Sequence, residues 1–141
     1  MSSKITNIDP QRFQTLADSI LELDFEILGV YLIQDPTGSV IAESVRPEFK
    51  KPLVGLSQTA NGMAPQWDIV AFKLMQRLDP VRSKLRYLDI VRDEFKGLIF
   101  QMPSSEDQFV VLTLGKKGDA TEIYKTVRAF VENSFQTPIN D

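Results

Sequence analysis

The chain has 141 residues, no cysteine, no histidine and a formal net charge of −3. This length is typical of one domain, so we expect a single domain over residues 1–141 with an ordered core at about 10–134. The lack of cysteine excludes disulfides, thiolate metal sites and thiol nucleophiles. The lack of histidine removes the commonest general base and metal ligand. We therefore expect a protein that is not an enzyme and that holds no cofactor or metal.

Neither the N-terminal residues MSSKITNIDP nor any later run has the apolar length of a signal peptide or of a membrane span. A cytoplasmic protein without integral membrane association is expected. The charge is unevenly distributed, since residues 1–45 hold two basic and seven acidic residues whereas residues 65–86 hold five basic and two acidic ones. This basic segment suits an acidic partner but is far weaker than that of a dedicated nucleic-acid binder, so no specific nucleic acid is expected.

The N-terminal part of the chain predicts a helix followed by a β-hairpin. Asp9 as N-cap, a proline at the first helical position and apolar residues at helical spacing predict a helix from about Pro10 to about Leu23. The run ILGVYLIQ, from Ile27 to Gln34, predicts a central strand covered on both faces because it is almost continuously apolar. The sequence DPTG predicts a tight turn, and the more polar SVIAES, from Ser39 to Ser44, predicts an edge strand.

The strongest helical pattern is PQWDIVAFKLMQRL, from Pro65 to Leu78. Its apolar residues recur at the period of a helix, at Trp67, Val70, Ala71, Leu74, Met75 and Leu78. This spacing predicts an amphipathic helix whose apolar stripe covers one face of the sheet. Lys73 and Arg77, four residues apart, are then expected to point away from the core. The preceding VRPEFKKP, from Val45 to Pro52, predicts a connecting loop because of its prolines and charges.

The C-terminal part predicts three strands and a helix. The strands are expected at Leu88 to Arg92, Phe95 to Met102 and Gln108 to Leu114, as an antiparallel meander. Asp119, with a glutamate three residues later, predicts the start of the last helix by a capping-box pattern. The apolar face of that helix is expected to carry Ile123, Val127, Phe130 and Val131.

The predicted order is α-β-β-α-β-β-β-α. An economical arrangement for it is an α+β fold, a single antiparallel sheet of about five strands flanked by helices on both faces. This order, together with the hairpin GVYLIQDPTGSVIAES, resembles the roadblock family and its profilin-like and longin-like relatives, over about Pro10 to about Ser134. The resemblance implies a scaffold or regulatory module that forms a homodimer and binds a protein partner such as a small Ras-like GTPase. It also implies dimerisation through the middle helix and the next strand, here Pro65 to Leu78 and Leu88 to Arg92.

The candidate interface joins the basic segment to the strand that follows it. Its residues are Lys73, Arg77, Arg82, Lys84, Arg86, Leu88, Ile90 and Arg92. The basic residues are explained equally well as the solvated surface of a helix and a loop. An alternative function is a small-molecule sensor of the PAS or GAF type, with a ligand held between sheet and helix in a cavity that has a few convergent polar groups.

Three further patterns are better explained by structure than by chemistry. The carboxylates of Asp89, Asp93 and Glu94 surround a strand end, where charged side chains commonly provide solvation. The sequence GKKG at residues 115–118 lacks the pattern of a phosphate-binding loop. The only tryptophan, Trp67, lies on an apolar helical stripe and is expected in the core.

Overall fold

The computed structural model of the chain describes residues 9–34, 39–49, 70–75, 77, 85–103, 105 and 107–136. The predictions made for the DPTG turn and for Trp67, Leu78, Arg82 and Lys84 fall outside these residues.

The described elements follow the predicted order. They are α1 (Pro10–Leu21), β1 (Ile27–Gln34), β2 (Ser39–Val45), a 3-10 turn (Pro47–Phe49), the helical residues 70–75 as α2, β3 (Leu88–Val91), β4 (Phe95–Gln101), β5 (Gln108–Gly115) and α3 (Ala120–Gln136). Most boundaries differ from the predicted ones by one or two residues. The Val45 to Pro52 connection, predicted as a loop, contains the 3-10 turn, because a proline at its first position has φ already set for a helical turn.

Both long helices begin at the predicted caps. The Asp9 carboxylate accepts a hydrogen bond from the backbone N–H of Gln11 at 3.1 Å. The Asp119 carboxylate accepts one from the backbone N–H of Glu122 at 3.2 Å. Each bond satisfies a backbone donor that the first helical turn leaves without a partner. The predicted N-caps at Asp9 and Asp119 are therefore confirmed.

The strands form one antiparallel sheet in the order β2-β1-β5-β4-β3. Strand β1 lies inside the sheet, and seven of its eight residues are buried, which confirms the prediction of a central strand. Strand β5 inserts between β1 and β4, so the hairpin and the meander become one sheet. The edges of the sheet are β2, as predicted, and β3.

Helices α1 and α3 cover one face of the sheet. Their buried side chains pack on the apolar residues that the strands direct to that face, which are Val30, Leu32, Ala42, Leu98, Phe100, Val110, Leu112 and Leu114. The Arg12 guanidinium on α1 donates a hydrogen bond to the backbone oxygen of Ser134 on α3, at 3.3 Å. The predicted apolar face of α3 is confirmed, since Ile123, Val127 and Val131 are buried and Phe130 packs against the same cluster.

Arg46, directly after β2, holds the end of α1 against the start of β1. Its half-buried guanidinium donates hydrogen bonds to the backbone oxygens of Leu21 at 2.7 Å, Asp24 at 2.9 Å and Ile27 at 2.6 Å. Phe25 lies over the same group, with its ring centroid 5.7 Å from the guanidinium carbon. One side chain thus satisfies three backbone acceptors from one loop, including an oxygen that the end of α1 leaves unpaired.

We expect Arg46→Met to lower the free energy of unfolding by about 2–4 kcal/mol, because it keeps most of the apolar stem but removes three hydrogen bonds from a charged donor to the backbone. Urea denaturation followed by circular dichroism measures this loss. Arg12→Met is the control, since Arg12 is exposed and its loss should stay within about 1 kcal/mol. Equal losses in the two variants would contradict the role given to Arg46.

Candidate protein interface

Phe72 attaches α2 to the face of the sheet opposite α1 and α3. Its side chain is only 1% exposed. It packs in a second apolar cluster, which contains Tyr31, Ile33, Ile99, Phe109 and Val111. The Phe72 and Phe109 rings meet edge to face, with centroids 5.5 Å apart and an interplanar angle of 74°. Along the described residues of α2, the Phe72 ring therefore fills the space between helix and sheet where the sensor alternative places a ligand.

The prediction that Val70, Leu74 and Met75 cover the sheet is wrong. Their side chains are 52%, 53% and 47% exposed. With 3.6 residues per turn, Val70 and Leu74 lie about 160° around the helix from Phe72. The segment has apolar residues on nearly all sides, and burying the large Phe72 ring removes the most apolar surface from water. We call Val70, Leu74 and Met75 the outer stripe.

The basic residues predicted for α2 differ in exposure. Arg77 is exposed, as expected, whereas Lys73 is half-buried. Lys73 therefore does not point fully away from the protein, because a position next to Phe72 lies toward the side of the helix that meets the sheet. Arg86 is exposed just before β3.

Strand β3 alternates between the two faces of the sheet. Leu88 and Ile90 are half-buried and pack against the cluster that contains Phe72. Asp89 and Val91 are exposed on the other face, and Val91 is 68% exposed. The strand ends at Val91 instead of the predicted Arg92, which is exposed.

Aromatic contacts connect the start of β3 to α3. The Tyr87 ring lies 4.5 Å, between centroids, from the ring of Tyr124. The hydroxyl groups of Tyr87 and Thr121 are 2.9 Å apart and form a hydrogen bond. These contacts fix the strand's entry on the α3 face, while Leu88 and Ile90 pack on the α2 face. The edge strand is thus held from both sides.

The backbone of β3 presents hydrogen-bonding groups at the sheet edge. The N–H of Arg92 donates to the backbone oxygen of Phe95 at 2.9 Å. Because hydrogen-bonded and non-hydrogen-bonded pairs alternate in an antiparallel ladder, the backbone groups of Ile90 and Leu88 also point to β4. Those of Asp89 and Val91 point away from the sheet. The outer edge of β3 is therefore suited to pairing with another strand.

The β2 edge is different because α1 reaches over it. The N–H of Arg46 donates to the backbone oxygen of Leu28 at 3.0 Å, so the backbone groups of Glu43 point outward in the same alternation. The side-chain amide of Gln14 on α1 donates to that outward oxygen of Glu43 at 2.9 Å. Pro47, which follows the strand, has no N–H to offer. Among the described edges, β3 is the better one for a new strand.

Tyr31 lies on β1 in the cluster beneath α2 and is 5% exposed. Burial raises the pKa of its hydroxyl to about 12, and the neighbouring charge of Glu43 acts in the same direction. An unfolded chain loses the tyrosine proton near pH 10. Burial therefore holds the Tyr31 hydroxyl in its neutral form.

We expect the free energy of unfolding to fall as the pH rises from about 10 to about 12. In this interval the folded chain keeps the Tyr31 proton that the unfolded chain has lost, whereas below it both states keep the proton. Urea unfolding over this range should show a shallower fall in Tyr31→Phe than in the parent chain. Parallel curves would contradict the buried hydroxyl.

The other predicted patterns lie at the surface. Asp89, Asp93 and Glu94 are exposed around the β3–β4 turn, and within the described ranges no three acidic side chains come together as a possible metal site. Lys116 and Lys117 are exposed in the turn before α3. None of the described helices combines the length and the apolar character needed to cross a bilayer.

Comparisons with known proteins bear on the fold. No family model matches the chain, and no curated protein matches its sequence. Solved structures do match. MglB from Myxococcus xanthus has a TM-score of 0.67 and 8% identity, over 94% of this chain and 90% of that chain. A roadblock/LC7 domain from Streptomyces avermitilis has a TM-score of 0.59 and 10% identity, over 89% and 97%.

A further structure, described as MglB with tetrameric arrangement, has a TM-score of 0.58 and 14% identity, over 90% of this chain and 93% of that chain. Each match spans about nine-tenths of both molecules. Identities this low concern the fold alone. The chain is a roadblock-like domain in its fold.

Proposed function

We propose that the chain is a non-enzymatic regulatory or scaffolding module of the cytoplasm, in which two copies associate through α2 and β3 and the dimer binds a protein partner. The observation that carries this proposal is the outer stripe, an exposed apolar surface on a helix that packs on the sheet near its β3 edge. The roadblock-like fold supports it, because the resemblance implies dimerisation through these two elements.

The outer stripe has the character of an interface. Single exposed apolar residues are common, but neighbouring ones mark surfaces that bind other proteins. Val70 and Leu74 are one helical turn apart on the same side of α2, and Met75 adds a side chain that adapts to different partners. All three are about half exposed in the single chain. A second copy that covers them would remove this apolar surface from water.

The edge of β3 also favours a second copy of the chain as the binding partner. Strand addition satisfies the backbone groups of Asp89 and Val91. Helix α2, which carries the outer stripe, lies near β3, because Leu88 and Ile90 pack against the apolar cluster that contains Phe72. A two-fold arrangement lets each copy contribute the same helix and the same edge. The tetrameric arrangement described for MglB, a protein of similar fold, is further support.

A protein partner is the second part of the proposal. The resemblance points to a small Ras-like GTPase as the first class to test. The exposed side chains of Arg77 in α2 and Arg86 just before β3 give these two elements a basic character, which suits an acidic partner surface and accelerates encounter.

Light scattering coupled to size-exclusion chromatography tests the dimer. At micromolar concentration the mass should be about twice the 16.0 kDa of one chain. A mass of one chain at every concentration would overturn the proposal. The partner is tested by biolayer interferometry with Ras-like GTPases in the GDP-bound and GTP-analogue-bound forms. Arg77→Glu should weaken binding by about tenfold at low salt, with less effect at high salt.

A further inference from the structure

We infer that two copies pair their β3 strands in the antiparallel register centred on Ile90, so that Asp89 of each copy lies opposite Val91 of the other. This inference rests on the proposed dimer and adds which residues meet within it. The hydrogen-bonding alternation of β3 and the charges of its residues select this register.

The alternation limits the possible registers. The outward backbone groups belong to Asp89 and Val91, and they must meet outward groups of the second copy. In a two-fold antiparallel pair, one residue lies opposite its own equivalent at the axis. The axis can therefore pass through Leu88, Asp89, Ile90 or Val91.

Charge disfavours two of these positions. An axis at Asp89 places the two Asp89 carboxylates directly opposite each other on the same face of the sheet. An axis at Val91 brings Asp89 toward Asp93, in the turn after the strand of the second copy, twice by symmetry, and leaves only Val91 facing a strand residue. Like charges directly opposite each other destabilise a strand pair. These side chains are exposed in the single chain, so each register brings carboxylates together that are now solvated.

Strand length disfavours an axis at Leu88. In that register Asp89, Ile90 and Val91 face residues 85–87 of the second copy, which are not in a strand. Only Leu88 then faces a strand residue. With the axis at Ile90, all three of Asp89, Ile90 and Val91 face residues of the partner strand.

The register centred on Ile90 also gives complementary contacts. The two Ile90 side chains meet on the α2 face, which joins the apolar clusters that contain Phe72 in the two copies. On the other face, Val91 is covered by the neighbouring copy. Outside the strand, Arg86 of one copy is brought toward Glu94 of the other, a pair of opposite charges near each end.

Single cysteines test the register, because the natural chain has none and any disulfide must join the introduced residues. Ile90 and its equivalent would form a non-hydrogen-bonded pair with Cα atoms about 4.5 Å apart, within the range of about 4.4–6.8 Å that a disulfide requires. Under mild oxidation Ile90→Cys should become a covalent dimer on a non-reducing gel. Leu88→Cys alone and Val91→Cys alone should give at least about tenfold less covalent dimer. In this register the two Val91 residues are diagonal neighbours, and the two Leu88 residues are farther apart.

A mixture tests the Asp89-centred register while keeping Asp89 in place. Tagged Leu88→Cys and untagged Ile90→Cys would form a heterodisulfide of intermediate size only if Leu88 faces Ile90. We expect the Ile90 homodimer instead. A dominant heterodisulfide, or a dominant covalent dimer of Leu88→Cys or Val91→Cys, overturns the register. Reduced Ile90→Cys serves as the folding control and should remain dimeric by light scattering.

The outcomes separate the register from the proposed function. If the cysteine-free chain is a monomer at every concentration, the proposed dimer fails and the register with it. If the chain is a dimer but a different pair cross-links, only the register fails. If the chain is a dimer and none of the cysteines cross-links, β3 is not paired in the dimer, which overturns the inference.

Discussion

Leu74→Asp is expected to convert the proposed dimer into a monomer with an intact fold. Leu74 is 53% exposed in the single chain, so a carboxylate there stays solvated when the chain is alone. In the dimer the same carboxylate would be desolvated against the second copy without a partner, and symmetry places two of them in one interface. Unpaired buried charges cost several kcal/mol, so we expect the dissociation constant to rise by at least about 100-fold, or about 2.7 kcal/mol.

Sedimentation velocity over a concentration series measures this change, and the far-ultraviolet circular dichroism spectrum should match that of the parent chain. Phe25→Asp is the matched control. Phe25 is 83% exposed on the segment between α1 and β1. Phe25→Asp therefore introduces the same charge in place of an exposed apolar side chain, but outside α2 and β3. The control should remain a dimer. A Leu74→Asp protein that still dimerises would remove the outer stripe from the interface.

Phe72→Ala is expected to lower the free energy of unfolding by about 3–5 kcal/mol. The ring is 1% exposed and contacts an aromatic partner edge to face. Its removal eliminates apolar contact and leaves a cavity between α2 and the sheet, which the surrounding strands cannot fill by moving. Weak attachment of α2 should also displace the outer stripe and weaken dimerisation.

Stability is best compared in the Leu74→Asp background, where dimerisation does not add to it by mass action. Urea denaturation of that variant with and without Phe72→Ala gives the loss. Met75→Ala in the same background is the control on the same helix, and its loss should stay within about 1 kcal/mol because Met75 is 47% exposed. Comparable losses for the two substitutions would contradict the buried position of Phe72.

Local patterns were sufficient to predict most elements of the fold. The caps at Asp9 and Asp119 and the apolar run of β1 are encoded by neighbouring residues, and all three occur as predicted. The orientation of α2 is not encoded in this way. The helix has apolar residues on nearly all sides. Periodicity therefore predicts an apolar stripe but does not show whether that stripe faces the core or an interface, since both surfaces are apolar. A single ring, Phe72, decides the orientation through its packing in a cluster with residues of β1, β4 and β5, three strands that are distant from it in sequence.

The candidate interface was predicted only in part for the same reason. A strand was predicted from Leu88 to Arg92, and Leu88 and Ile90 belong to it. That β3 lies at an edge follows from the insertion of β5 between β1 and β4, which no local pattern specifies. The contact between Gln14 and Glu43 depends on the path of α1 over β2, and the two residues are 29 positions apart.

The hydrogen bond from Gln14 to the outward oxygen of Glu43 also bears on how far assembly proceeds. A sheet with two open edges would accept a further copy at each end and extend into a fibre. Here one end is already occupied by a side chain of the same molecule. In the proposed dimer, both ends of the ten-stranded sheet would be β2 strands, each with one outward oxygen occupied by Gln14. We therefore expect Gln14 to make the β2 edge a poorer site for a further strand, so that the proposed dimer is less prone to extend through its own strands.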